Sequence, residues 1–166
     1  MGVRVRKPRP DEYQQAGAVT ALAYEEFGAP GETGWDDYRR RIADVASRAD
    51  RTVVLAAFED GRILGTVTLE LDGRVPGGHE RPRLEAWEAH VRMLGVHPEA
   101  RGRGVGRLLM DACIEEARRA GKSVMTLDTT DQMKPAQHLY ESMGFRRGPD
   151  QVFDDGFRLR FYELPL

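Results

Sequence analysis

The stretch Val96–Met110, "VHPEARGRGVGRLLM", places three glycines and three arginines within the seven residues from Arg101 to Arg107 and then runs straight into an apolar helical pattern. A strand is expected to end at Val96 and a helix to begin near Gly104. Glycine admits dihedrals closed to other residues and lets a ligand approach the backbone. The N–H groups of the first helical turn point outward, with the positive end of the helix dipole behind them. Arg101, Arg103 and Arg107 add charge-assisted donors whose shape suits phosphate. The pattern predicts an anion site at a strand-to-helix turn. The competing reading is an ordinary helix N-terminus with glycine packing and exposed arginines.

Other phosphate-binding patterns fail on spacing. A P-loop needs four residues between its first glycine and a Gly-Lys-Ser/Thr triplet, which this chain lacks. In the dinucleotide fingerprint, Gly102 and Gly104 would demand a glycine at position 107, where Arg107 stands. A protein kinase needs far more chain and its remaining signatures.

Working outward, "VRVRKP" opens as a short strand, and Pro10-Asp11-Glu12 gives a helix start with carboxylates at the positive end of the dipole. Tyr13, Ala16, Val19, Ala23 and Phe27 recur at spacings of three and four, one buried face, before Gly28-Ala29-Pro30-Gly31 ends the helix. A second helix is expected from about Trp35-Asp36, with Tyr38, Ile42, Val45 and Ala49 inward and Arg39 to Arg41 as solvated charge. "TVVLAAFEDGRILGTVTLEL" reads as a hairpin about Asp60-Gly61. Asp72 to Ala86 is expected to be a long loop. "AHVRMLGV" is a central strand, and the helix after it runs to about Ala120, closed by Gly121. "SVMTLDTT" is a strand, "QMKPAQHLYESM" a short helix, "GFRRG" a strand start and "GFRLRFYELPL" a final strand. The order β-α-α-β-β-β-α-β-α-β-β indicates a mixed α/β (α+β) domain with a right-handed crossover around the helix after Gly104.

A length of 166 residues suits one domain, expected to cover 1–166. With 40% hydrophobic and 31% charged residues and a mean hydropathy of −0.55, the chain has the composition of an ordinary globular protein. A net charge of −2 provides no global basic field, so no nucleic-acid partner is expected. Neither a signal peptide nor an apolar run of about 18 residues is present, so no membrane partner is expected and the location is read as cytoplasmic. Cys113, the single cysteine, excludes an internal disulfide and thiolate zinc clusters and falls on an apolar helical pattern as a small core residue.

Arg101-x-x-Gly104-x-Gly106, preceded by Val96-x-Pro98, resembles the pyrophosphate loop of the GNAT superfamily, the acyl-CoA-dependent N-acyltransferases. About thirty residues on, "AQHLYESMGF" from Ala136 to Phe145 is similar to that family's A-x-x-L-Y-E-x-x-G-F segment. The resemblance covers nearly the whole chain. It implies a GNAT-like fold: a central, twisted, mostly antiparallel sheet of six to seven strands with a splayed parallel pair, and about four helices. It further implies acetyl-CoA as co-substrate, with Leu94, Gly95 and Val96 holding the pantetheine. Arg101, Gly102, Arg103, Gly104, Val105 and Gly106 would give amides to the pyrophosphate. Arg103 and Arg107 either reach a phosphate or face water.

By the same resemblance the reaction is acetyl transfer to a primary amine on a small molecule, by direct attack on the thioester. A peptide N-terminus or lysine as acceptor, and a non-catalytic acyl-CoA-binding module, stay open. Tyr140 matches the family's general acid; pattern alone would make it a core aromatic on an amphipathic helix. The usual place of the base falls at His90, with Glu88 two residues earlier on the same strand face and Glu85 a third candidate. His90 has the better intrinsic pKa, and its competing role is a satisfied strand histidine. Where relatives often carry asparagine stands Met133, so Thr129, Thr130 or Gln132 would supply the missing polar contact. Pro135 is tolerable only in the first turn of its helix, which is expected to start near Met133. No metal is expected, since His79, His97 and His138 make no ligand spacing. Glu25, Glu26, Asp36, Asp37, Asp154 and Asp155 could attract a cationic acceptor, and Trp35 and Tyr38 could line its pocket. A homodimer is among the assemblies the sequence leaves open.

Overall fold

A computed structural model describes residues 2–28, 34–73 and 83–166. Expectations for Ala29 to Gly31, and for most of the Asp72 to Ala86 loop with His79, lie outside these residues. The expected hairpin forms as β2 (Val53–Glu59) and β3 (Arg62–Glu70). Asp60 and Gly61 take φ of 49° and 77°, two successive positive values that give a tight turn the same twist as its strands. β1 (Arg4–Arg6) adds antiparallel to β2. All of β3 beyond Arg62 is buried, as suits a strand covered on both faces.

β4 (Glu88–Val96), α4 (Val105–Arg119) and β5 (Val124–Thr129) form the expected crossover, and β4 pairs parallel with β5 from Glu88↔Val124 to Val91↔Leu127. Gly121, at φ 77°, closes α4. There the N–H of Lys122 donates to the Ala117 carbonyl and that of Gly121 to Arg118, each at 3.0 Å, which satisfies carbonyls the helix end would otherwise orphan. β8 (Arg158–Pro165) runs antiparallel to β5 and carries β6 (Arg146–Arg147) and β7 (Gln151–Val152). The GNAT-like fold class is therefore present: a mostly antiparallel sheet containing one parallel pair. The described sheet has eight strands where six to seven were expected, because the two-residue β7 forms where the sequence shows only a polar connection.

Two expectations about helices need correction. Pro10–Glu12 is a 3-10 turn, and α1 proper is Tyr13–Tyr24, followed by a second 3-10 turn at Glu25–Phe27. The expected second helix breaks at Asp44 into α2 (Trp35–Ala43) and α3 (Ala46–Ala49), so the described chain has five α-helices instead of about four. The cause is Arg48, which is only 6% exposed. Its guanidinium donates to the carbonyls of Ile42 at 2.8 Å, Asp44 at 3.0 Å and Arg41 at 3.1 Å, and its Nε to Thr68 Oγ1 at 3.1 Å. A cation on the last carbonyls of α2 replaces the helical bonds those groups would have made. Ile42 and Val45 are still buried, as the spacing required. α5 (Lys134–Ser142) has Pro135 in its first turn and Met133 before it, as expected.

The chain divides into two compact units, Met1–Leu69 with Met93–Cys113 and Glu70–Arg92 with Ile114–Leu166. In the first, strands run β1-β2-β3-β4, and Ala16, Val19, Val45, Val54, Ala56, Phe58 and Ile63 make a buried cluster. Cys113 is fully buried, in agreement with its core reading. In the second, strands run β4-β5-β8-β6, and Met125, Leu127, Tyr140, Phe145, Leu159 and Tyr162 are buried.

Candidate functional site

In the first unit, the turn after β4 delivers the chain into α4 through Gly102 and Gly104, at φ of 77° and 78°. A side chain at either would be strained by its backbone, yet a Cβ there would meet nothing within 4 Å. The glycines therefore serve conformation, and the space beside them is open. Leu108 N–H bonds back to the Gly104 carbonyl at 3.1 Å. Val105, Gly106 and Arg107 accordingly form the first turn of the helix, where backbone N–H groups point out along its axis.

The arginines are engaged. Arg101 pairs with Glu26 and donates to the Ala23 carbonyl at 3.4 Å. Arg103 pairs with Glu59 at 2.7 Å, a hydrogen bond that holds the Glu59 carboxyl below, and the Arg103 guanidinium above, their ordinary values. Both arginines are about half exposed, so an arriving anion competes with a solvent-screened carboxylate and not with a buried one.

β4 prepares the approach to this turn. Its ladder with β5 ends at Val91, and Met93 then takes φ of 56°, a left-handed conformation rare for an unbranched apolar residue. Leu94, Gly95 and Val96 follow outside that ladder, Leu94 and Val96 half-buried. Gly95 sits hard against α1, where a Cβ would come 2.8 Å from that of Ala23. Gly65 on β3, which the sequence did not single out, is equally constrained, since a Cβ would lie 2.9 Å from the Gly95 carbonyl oxygen and 3.2 Å from Val105.

The second unit holds the candidate proton-transfer groups. Glu88 and His90 are 1% and 2% exposed and meet on one β5 side chain. Glu88 Oε2 accepts the Thr126 hydroxyl at 2.5 Å, and His90 Nδ1 lies 2.8 Å from the same Thr126 oxygen. Glu88 Oε1 also accepts the Glu85 N–H at 3.2 Å, while the Glu85 residue is itself exposed. His90 Nε2 faces Asp128 Oδ2 at 3.7 Å. Neither Thr126 nor Asp128 stood out in the sequence; their alternation on β5 two and four residues after Val124 was the one available signal.

Tyr140, 5% exposed on α5, packs on Phe145 and Tyr162 with ring centroids 5.7 and 5.9 Å away. Tyr162 donates its hydroxyl to Glu141 at 3.0 Å, and burial followed by that bond raises its pKa. Gln137 donates to the Thr130 carbonyl at 2.8 Å and accepts from Arg160 at 3.2 Å, and Arg160 also pairs with Asp131. These bonds pin the start of α5. The Thr129 hydroxyl is buried with no hydrogen-bond partner among the described residues. Of the acidic residues considered for an acceptor, Glu25 pairs with Arg39 at 2.6 Å, Asp37 with Arg40 at 2.6 Å, and Asp155 accepts from the Phe157 N–H. His97 accepts the Glu99 N–H at its turn, and His138 is exposed. Among the described residues no group of three His, Cys, Asp or Glu side chains could hold a metal.

The crossover with its open glycine turn at a helix start defines a mixed α/β protein. The sequence matches the acetyltransferase (GNAT) family over residues 17–145, more than half the chain, and the chain belongs to that family. It is 32% identical over 148 residues to mycothiol acetyltransferase of Propionibacterium freudenreichii, covering 87% of this chain and 43% of that protein. It is 31% identical over 165 residues to the mycothiol acetyltransferase of Acidothermus cellulolyticus, covering 93% and 48%. The chain thus spans about half the length of the curated relatives it matches. In fold it is similar to yncA of Salmonella typhimurium, solved with its cofactor acetyl-CoA, at a TM-score of 0.71 and 22% identity over 100% of this chain and 95% of that one.

Proposed function

We propose that this protein transfers an acetyl group from acetyl-CoA to a primary amine of a small molecule, acting in the cytoplasm as a single domain over residues 1–166. The observation that carries the reading is the turn at Gly102 and Gly104, open beside both glycines and emptying into the start of α4. Amides from Arg101 to Gly106 suit the pyrophosphate, with Arg101, Arg103 and Arg107 as charge partners. The backbone of Leu94, Gly95 and Val96, beyond the β5 ladder, suits an extended pantetheine. The names of the mycothiol acetyltransferase relatives favour a small acceptor over a peptide.

In this reading the neutral amine attacks the thioester carbon, the C–S bond breaks, and two protons must move. Tyr140 gives its phenolic proton to the departing thiolate, the two groups being of similar basicity. His90 takes the proton released by the amine, directly or through one water. Glu88 already accepts a hydrogen bond at each oxygen, which favours His90 for this role.

An amine panel with acetyl-CoA, read by free thiol, tests this. Amine-dependent release is expected, with Tyr140→Phe lowering kcat roughly 100-fold and leaving CoA affinity near its original value. Tight acetyl-CoA binding without release for any amine or peptide would replace this function with that of an acyl-CoA-binding module.

A further inference from the structure

We infer that Thr126 is a positioning residue that fixes the tautomer of His90, and that Glu88 acts through it as an anchor. Its catalytic meaning rests on the reading of His90 as the base. Thr126 has one hydroxyl proton and meets two neighbours, Glu88 Oε2 at 2.5 Å and His90 Nδ1 at 2.8 Å. Glu88 accepts at both oxygens, from the Glu85 N–H and the Thr126 O–H. The Thr126 proton therefore lies on the Glu88 side. Its oxygen can only accept from the ring, and Nδ1 must be the N–H.

In the neutral imidazole this places the basic lone pair on Nε2. When Nε2 takes a proton from the amine, the imidazolium keeps Nδ1–H on Thr126 and gains Nε2–H, which faces Asp128 Oδ2 at 3.7 Å. The proton stays on the ring and no other bond changes. The reverse arrangement, with Thr126 donating to Nδ1, would put the neutral ring's proton on Nε2 and leave no site there to receive another. Glu88, His90 and Thr126 are 1%, 2% and 3% exposed, so the hydrogen-bond chain runs inside the protein. The shared threonine makes Glu88 and His90 parts of one device.

Long-range proton–nitrogen NMR on uniformly 15N-labelled protein, recorded where the imidazole is neutral, reads the tautomer without needing turnover. The wild type is expected to show His90 protonated at Nδ1, with Thr126→Ser unchanged and Thr126→Val giving a mixed or inverted tautomer. Kinetics should follow, with kcat falling about tenfold or more in Thr126→Val, KM for acetyl-CoA little altered, and Thr126→Ser recovering most of the rate. A wild-type ring protonated at Nε2, or a Thr126→Val variant that keeps the Nδ1–H signature, overturns the proposal even if the valine variant is poorly stable. The base reading fails separately: His90→Gln with undiminished turnover would remove His90 from catalysis, whatever the tautomer.

Discussion

Where β4 lies on α1, Gly95 and Ala23 leave no room for another methyl group, since a Cβ on Gly95 would stand 2.8 Å from that of Ala23. Gly95→Ala should therefore cost about 1–3 kcal/mol by overpacking. Ala23→Gly in the same chain removes the clash at a cost of about 1 kcal/mol in helix propensity. The double variant should be less destabilised than the sum of the singles. Urea unfolding of all three checks this, and strict additivity would show that the backbone yields instead. The sequence marked Gly95 for its backbone and Ala23 for a buried face. It gave no sign that the two touch, because contacts between distant segments leave no trace in local spacing. Met93 hides for another reason: its φ of 56° breaks the rule that such positions carry glycine.

At the scale of elements, the break between α2 and α3 depends on one side chain. The apolar spacing from Tyr38 to Ala49 is satisfied with or without the break, so periodicity reads one helix through it. Arg48 is then easily taken as one more surface cation. Instead it holds three carbonyls at the end of α2 and the hydroxyl of Thr68 on β3. Replacing it with methionine leaves several buried acceptors unsatisfied, and a loss of about 3 kcal/mol or more is expected, read as a lower urea midpoint. Lysine should recover less than half of that loss, because an ammonium cannot span the same fork. A methionine variant as stable as the wild type would mean that the local backbone alone sets the break.

For the molecule as a whole, exposed ion pairs contribute to the response to acid. Hydrogen bonding by Arg6, reinforced by the Arg9 N–H, lowers the Glu12 carboxyl from 4.5 to about 2. Arg103 lowers Glu59, Arg62 lowers Glu99, and Arg160 lowers Asp131 in the same direction. A carboxyl whose pKa is lower in the folded than in the unfolded state stabilises the fold above its unfolded pKa, and the gain disappears as pH falls through the folded value. The thermal midpoint should be level above about pH 5 and fall between 4.5 and about 2. Glu12→Gln should lower the neutral-pH plateau and make the acid limb shallower; an unchanged limb would show that Glu12 gains nothing on folding.

The sequence alone was enough to read the glycine turn into α4, the hairpin about Asp60-Gly61, the crossover, the position of Tyr140 and the family. Those features are local, written in positive-φ glycines, apolar periods of two and 3.6, and spacings along a single segment. Folding adds that Arg101 and Arg103 hold Glu26 and Glu59, that Gly95 and Gly65 are glycines for want of room, and that Glu88 and His90 share Thr126. Each of these is a meeting of residues far apart in the chain. Such meetings are fixed by packing and by the direction of single protons, which no pattern along the chain encodes.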